Sequence, residues 1–285
     1  WGVETLIARP TPELLEKLAP LLDDRDPEIR KYVCDSLVTL AENPELQKAI
    51  LEQSRKVLHA DGWRGQAQAV LVLVTLEDTT IVERLMKLLD ASRREVNVNA
   101  AWGLCQLAVP GTAEPVHEIF CRKTESWLAS EPQNDGIGDQ LALLAQMLGV
   151  LNYTPADAVF RKYIPKGAAM NSTSRSAAIW ALGKIRLGQP DAKLARQLVG
   201  RVEDAFSMVP ESSDVCRMSA ITLARIDADS AVPSLRSSLA QTGPQNGVGY
   251  ACAWAIWQLT GDEIPPLEPA IELDQDWFLV PASKP

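Results

Sequence analysis

Histidine is nearly absent: His59 and His117 are the only two in 285 residues, and neither has a second His or a Cys at ligand spacing. A structural or catalytic zinc site needs three or four such ligands, so no metal is expected. The five cysteines, Cys34, Cys105, Cys121, Cys216 and Cys252, include no CxxC pair. Their scatter fits small buried thiols in a reducing, cytoplasmic setting better than a disulfide framework. Aromatic residues are scarce at 6%, and the formal net charge of −9 comes without any run of Lys or Arg. An acidic chain of this kind is not expected to bind nucleic acid. No apolar run is long enough to span a bilayer, so no membrane partner is expected either. Phosphate loops of the GxxxxGK[ST] kind and GxSxG elbows are missing, and GIGD at 136–139 reads only as a helix start. The Asp23-Asp24 pair falls in an inter-helix turn, where it caps helices rather than serving as an acid–base couple. The chain begins at Trp1 rather than Met, which points to a processed protein or a piece of a longer one and leaves room for a removed signal peptide.

What is present is Leu and Ala, in a pattern that repeats. Residues 25–42, RDPEIRKYVCDSLVTLAE, carry an Asp-Pro start followed by apolar or small residues at helical spacing. The same skeleton returns in STSRSAAIWALGKIRLG and SDVCRMSAITLARID, and seven copies align. They start at Ile29, Gly65, Val96, Ile137, Ser174, Val215 and Val248. They close at Leu40, Leu76, Leu107, Leu148, Ile185, Ile226 and Leu259, giving a period of roughly 36 residues. The spacing predicts second helices over 27–41, 63–77, 94–108, 137–151, 173–186, 214–226 and 247–260. Each is preceded by another amphipathic segment, from PELLEKLAPLLDD at the start through PADAVFRKYI to SAVPSLRSSLA at the end. Thr11-Pro12, Asp26-Pro27, Asn43-Pro44 and Thr154-Pro155 read as capping residue plus first-turn Pro. LGQPD, TGPQNG and SEPQNDGIG read as the links between helices.

RDPEIRKYVCDSL, SRSAAIWALGKI and SAVPSLRSSL resemble HEAT repeats of the bacterial subtype also found in phycobilin lyase subunits (PBS-lyase HEAT-like repeats). The resemblance spans about residues 10–261. It implies an all-α, right-handed α-solenoid (superhelix) of about seven HEAT-type helix pairs over 1–261, with second helices on the concave side. One pair cannot bury its own apolar face, so neighbours must stack. Ala100-Ala101, Ala177-Ala178, Ser219-Ala220 and Ala251 allow close approach. The family's Arg early in the second helix is matched by Arg30 and Arg175. Asn97, Cys216 and Gly249 replace it, so those pairs are expected to be held by packing. HEAT-type deoxyhypusine hydroxylase builds a di-iron centre from several His-Glu pairs; His117-Glu118 is a single pair and cannot.

Stepping round each second helix at about 100° per residue puts the seventh position opposite the core stripe. Its occupants are Asp35, Leu71, Trp102, Leu143, Trp180, Ile221 and Trp254, with Trp257 one turn beyond the last. An exposed apolar strip with several Trp suggests a binding surface. The alternative is that these side chains fill gaps between neighbouring second helices. The Pro-rich segment 262–285 lacks the skeleton and reads as an extended tail, either a linker or a cap in which Trp277 and Phe278 cover the last pair. The expected function is a non-catalytic scaffold or adaptor, needing no cofactor, that binds a protein or peptide on the concave face, as a monomer or as a module of a longer chain. The alternative implied by the resemblance is an accessory subunit of a phycobilin-lyase-like enzyme, cradling a tetrapyrrole.

Overall fold

The computed structural model describes residues 10–129, 136–166 and 170–264, and every described element is helical. In chain order the α-helices are α1 (Pro12–Leu18), α2 (Pro27–Leu40), α3 (Pro44–His59), α4 (Trp63–Thr75), α5 (Val82–Leu88), α6 (Arg94–Leu107) and α7 (Ala113–Ala129). They continue with α8 (Ile137–Val150), α9 (Asp157–Phe160), α10 (Ser172–Ile185), α11 (Ala192–Glu203), α12 (Ser213–Arg225), α13 (Val232–Thr242) and α14 (Gly247–Thr260). The even-numbered helices are the second helices of the sequence repeat, and their bounds match expectation to within two residues. Trp277 and Phe278 lie outside the described residues.

Local chemistry accounts for many of these bounds. Asp26, Asn43, Asn171, Asp191 and Asn246 each accept a hydrogen bond from a first-turn amide at 2.9–3.0 Å, satisfying donors that the helix itself cannot. Thr154-Pro155 differs from expectation: it opens a 3-10 turn without a side-chain cap, and the whole 154–163 segment is one short α-turn between two 3-10 turns. Four second helices end on a non-glycine residue with positive φ, namely Glu77, Ala108, Asn152 and Asp227. Three of these turns share a bond from the next amide back to a carbonyl five residues earlier: Asp78 to Leu73, Tyr153 to Leu148 and Ala228 to Leu223. This is the Schellman arrangement, used here as repeat punctuation.

A second regularity ties five of the seven pairs together, those of α2, α4, α6, α10 and α12. The side chain one residue after the first skeleton position faces a carbonyl at the end of the preceding first helix or its link. Arg30 donates to Asp24 O, Gln66 to Ala60 O and Asn97 to Ala91 O, at 2.6–3.0 Å. Arg175 reaches the carbonyls of Tyr163 and Ile164, and the Cys216 thiol that of Arg201. At Gly249 a β-carbon would collide with the Gly243 carbonyl oxygen, so only glycine fits. Asn97 and Cys216, expected to leave their pairs held more by packing, each keep one hydrogen bond with a shorter side chain.

The chain divides into two compact units, Trp1–Thr112 and Ala113–Pro285. In the first, α4 packs between α2 and α6, with α3 and α5 behind. Its core is aliphatic, including Leu22, Leu37, Ile50, Leu58, Leu73 and Leu85. In the second, α10 packs between α8 and α12, and α12 between α10 and α14. Phe120, Phe160 and Tyr163 form an aromatic cluster there, with Thr124 hydrogen-bonded to the Tyr163 hydroxyl at 2.7 Å. Ten successive residues of α10, Ser174–Gly183, are buried because helices cover it on several sides. Each large side chain so buried contributes about 1.5–3 kcal/mol. No helix among the described residues is long and apolar enough to cross a membrane.

Candidate functional site

In the first unit the second helices α4 and α6 present one continuous face each. On α4 it runs through Trp63, Arg64, Ala67, Gln68, Leu71, Val74 and Thr75, successive positions on one side at helical spacing. On α6 it runs through Arg94, Val98, Trp102 and Gln106, each four residues from the last. A cavity of about 410 Å³ opens at the N-terminal end, where Arg30, Trp63, Arg64, Gln68 and Arg94 line it. A second, of about 540 Å³, opens at the C-terminal end, lined by Val74, Thr75, Glu77, Trp102 and Gln106. Leu71 lies in register between them, half-buried. At 1.5 Å per residue this face is about 18 Å long.

The N-terminal cavity is strongly basic. The Arg64 guanidinium lies 4.6 Å from the centre of the Trp63 ring and that of Arg93 lies 5.0 Å from it. At these distances the ring's π face attracts a guanidinium, whose N–H groups can still donate to other partners. Arg30 commits one terminal nitrogen, Nη1, to the carbonyls of Asp24 and Arg25. Asn99 pins α6 to α4 through the Ala67 carbonyl at 3.0 Å. Neither α4 nor α6 has a side-chain cap at its N-terminus. Arginine near the start of a helix opposes the helix dipole, so its recurrence at the starts of α2, α4 and α6 runs against local stability. No run of basic residues marks this cluster in the sequence. The readable signal was Arg in the first turn of three consecutive second helices.

The predicted strip residues separate into two groups. Leu71 and Trp102, in the first unit, are half-buried and sit on the face just described. In the second unit, Leu143, Trp254 and Trp257 are also half-buried, but Trp180 is only 8% exposed and Ile221 is 0% exposed. These two are corrected from exposed strip to packing. The Trp180 ring lies against Gly149 of α8, whose missing side chain leaves room for it, and Ala181 packs on the same glycine. Arg225 of α12 passes over Gly183 and brings its guanidinium to 5.5 Å from the Trp180 ring centre, closing the other side. Burial pulls the Arg225 pKa down to about 10. Trp180 thus fills the space between neighbouring second helices.

Chemistry elsewhere is structural. Arg175 and Glu211 form a buried bidentate pair, both contacts 2.8 Å, with Arg201 adding a third bond at 3.0 Å. Asp157 binds Arg161 and Arg186, and Arg161 extends to Asp191. His117 contacts the Cys121 sulfur at 3.3 Å and packs on Tyr153, and desolvation lowers its pKa. Among the described residues no three His, Cys, Asp or Glu side chains group as a metal site.

Stacked helix pairs with these repeating ties define an all-α helical-repeat fold. No family model matches the chain, and no curated protein matches it. Solved structures with similar folds include the complex of CpcE and CpcF of phycocyanin lyase from Nostoc sp., at 16% identity over 88% of this chain and 95% of that one, TM-score 0.49. Human deoxyhypusine hydroxylase in complex with glycerol is 14% identical over 90% of this chain and 88% of that one, TM-score 0.38. Computationally designed armadillo repeat proteins for modular peptide recognition give 17% identity over 86% and 99%, TM-score 0.35.

Proposed function

We propose that this protein is a non-catalytic scaffold that binds a protein or peptide segment along the second helices of its first unit. The observation that carries this reading is the α4–α6 face: two cavities about one helix length apart, with Leu71 between them and Trp102 lining the second. A half-exposed Trp beside a cleft is the side chain most often found at the centre of a binding interface. An extended segment of about five or six residues covers the 18 Å between the ends. The rigid, hydrogen-bonded helices fix the face in advance, so little ordering cost falls on the scaffold when a segment docks.

The test is to pan a random library of displayed peptides of about 10 residues on the intact protein. The expected result is a set of enriched peptides whose binding Trp102→Ala abolishes while the melting temperature stays within a few degrees of wild type. Absence of any enriched peptide, or enrichment indifferent to Trp102→Ala, would overturn the reading.

A further inference from the structure

We infer that the N-terminal cavity of this face recognises carboxylates, and that the segment held along α4 and α6 is acidic where it meets Arg30 and Arg64. The inference rests on the peptide-binding reading above and gives its partner a chemistry.

The cavity gathers three arginines from three separate helices, α2, α4 and α6, with a fourth, Arg93, stacked on the shared Trp63. One carboxylate, Glu95, joins the lining, so the local balance is positive in a chain whose net charge is −9. Among the described residues, Arg64 and Arg93 form no ion pair, and neither does Glu95. Trp63 gathers two of the guanidinium groups, at 4.6 and 5.0 Å from its ring centre. Guanidinium N–H groups pair readily with planar carboxylates.

Size and charge select among anions. A volume of about 410 Å³ exceeds what one small anion fills, and takes two or more acidic side chains together with their water. A long polyanion such as nucleic acid would be repelled by the acidic remainder of the chain, whereas a short acidic segment meets only the basic cleft. The Trp63 ring, already engaged by Arg64 and Arg93, is not offered for stacking with a base. One turn beyond Ala67 and Gln68 on the same side of α4 comes half-buried Leu71, so an acidic end followed by an apolar residue matches the face in order.

The experiment pans the same displayed library on the intact protein in about 0.15 M salt, then measures the enriched sequences as fluorescein-labelled synthetic peptides by anisotropy. Expected are Asp or Glu clustered at one end, and at least about tenfold weaker binding when they become Asn or Gln. Arg64→Glu/Arg93→Glu should weaken binding by at least the same factor, with Arg64→Lys retaining part of it. Melting curves confirm that the variants fold, and Arg64→Gln replaces the charge reversal if they do not. Enriched peptides that depend on Trp102 but are indifferent to acidic residues and to Arg64 would overturn this inference and leave the groove reading standing. Tighter binding of phosphoserine peptides, or of a labelled oligothymidylate, than of the carboxylate peptides would also overturn it. Recovery of no peptide at all would overturn both.

Discussion

The ring of Trp180 rests on Gly149: a β-carbon added at that glycine would stand 2.9 Å from the indole and 3.0 Å from the Ala181 backbone. The pair is a knob and its socket, made by the largest and the smallest side chain on neighbouring second helices. Trp180→Ala should therefore lower stability by about 3–5 kcal/mol, a core-sized loss. Gly149→Val should also destabilise, because backbone stands in the way. Calorimetric melting checks both. A Trp180→Ala protein that melts with the wild type would return Trp180 to the surface.

Acid should unfold this protein through a small set of carboxylates. Burial works to raise the pKa of Glu211, but the hydrogen bonds from Arg175, the Ser212 amide and Arg201 hold it below the ordinary carboxylate value. Asp78 and Asp157 show the same balance, with Arg55 and Thr80, and with Arg186 and Arg161, as partners. A carboxyl whose folded pKa is depressed adds stability that is complete above its unfolded value, about 4, and is lost as pH falls through the folded value. Melting temperature should hold from neutrality down to about pH 5 and then fall. Glu211→Gln should flatten part of that fall while lowering stability at pH 7, because it removes the charge partner of a buried arginine. An acid limb identical to wild type in Glu211→Gln would show that this pair does not contribute.

Thiol chemistry should single out one cysteine. Cys105, Cys216 and Cys252 are buried, with pKa values pushed up to about 12, and Cys34 is buried with its value near 11. Cys121 is the one of the five with appreciable exposure. Only the thiolate reacts, so native protein should label with a single fast phase that Cys121→Ser removes, the others reacting after unfolding. Several equal fast phases would contradict the burial pattern.

Much of this architecture was legible in the chain itself. The second helices announce themselves because their apolar period and small residues serve one purpose, close packing against two neighbours. First helices were less readable: residues 155–164 carry an amphipathic pattern, yet the short segment breaks into 3-10 turns around a four-residue helix. The Trp strip shows most clearly what spacing along the chain leaves open. Trp102 and Trp180 hold the same place in their repeats, but one lines a cleft and the other is sealed in. The difference lies in Gly149 and Arg225, which belong to other helices and can be paired with Trp180 only in three dimensions. The arginines around Trp63 were hidden for the same reason, being 29 to 64 positions apart along the chain when counted from Arg30 to Arg93 and Arg94 or from Arg64 to Arg93.

The contact between a second helix and the carbonyl before it is made by Arg, Gln, Asn, Cys or, at Gly249, by no side chain at all. The side-chain reach at this position therefore varies from several ångströms to none. One place in the repeat thus carries side chains of very different length, each matched to how near the preceding carbonyl lies.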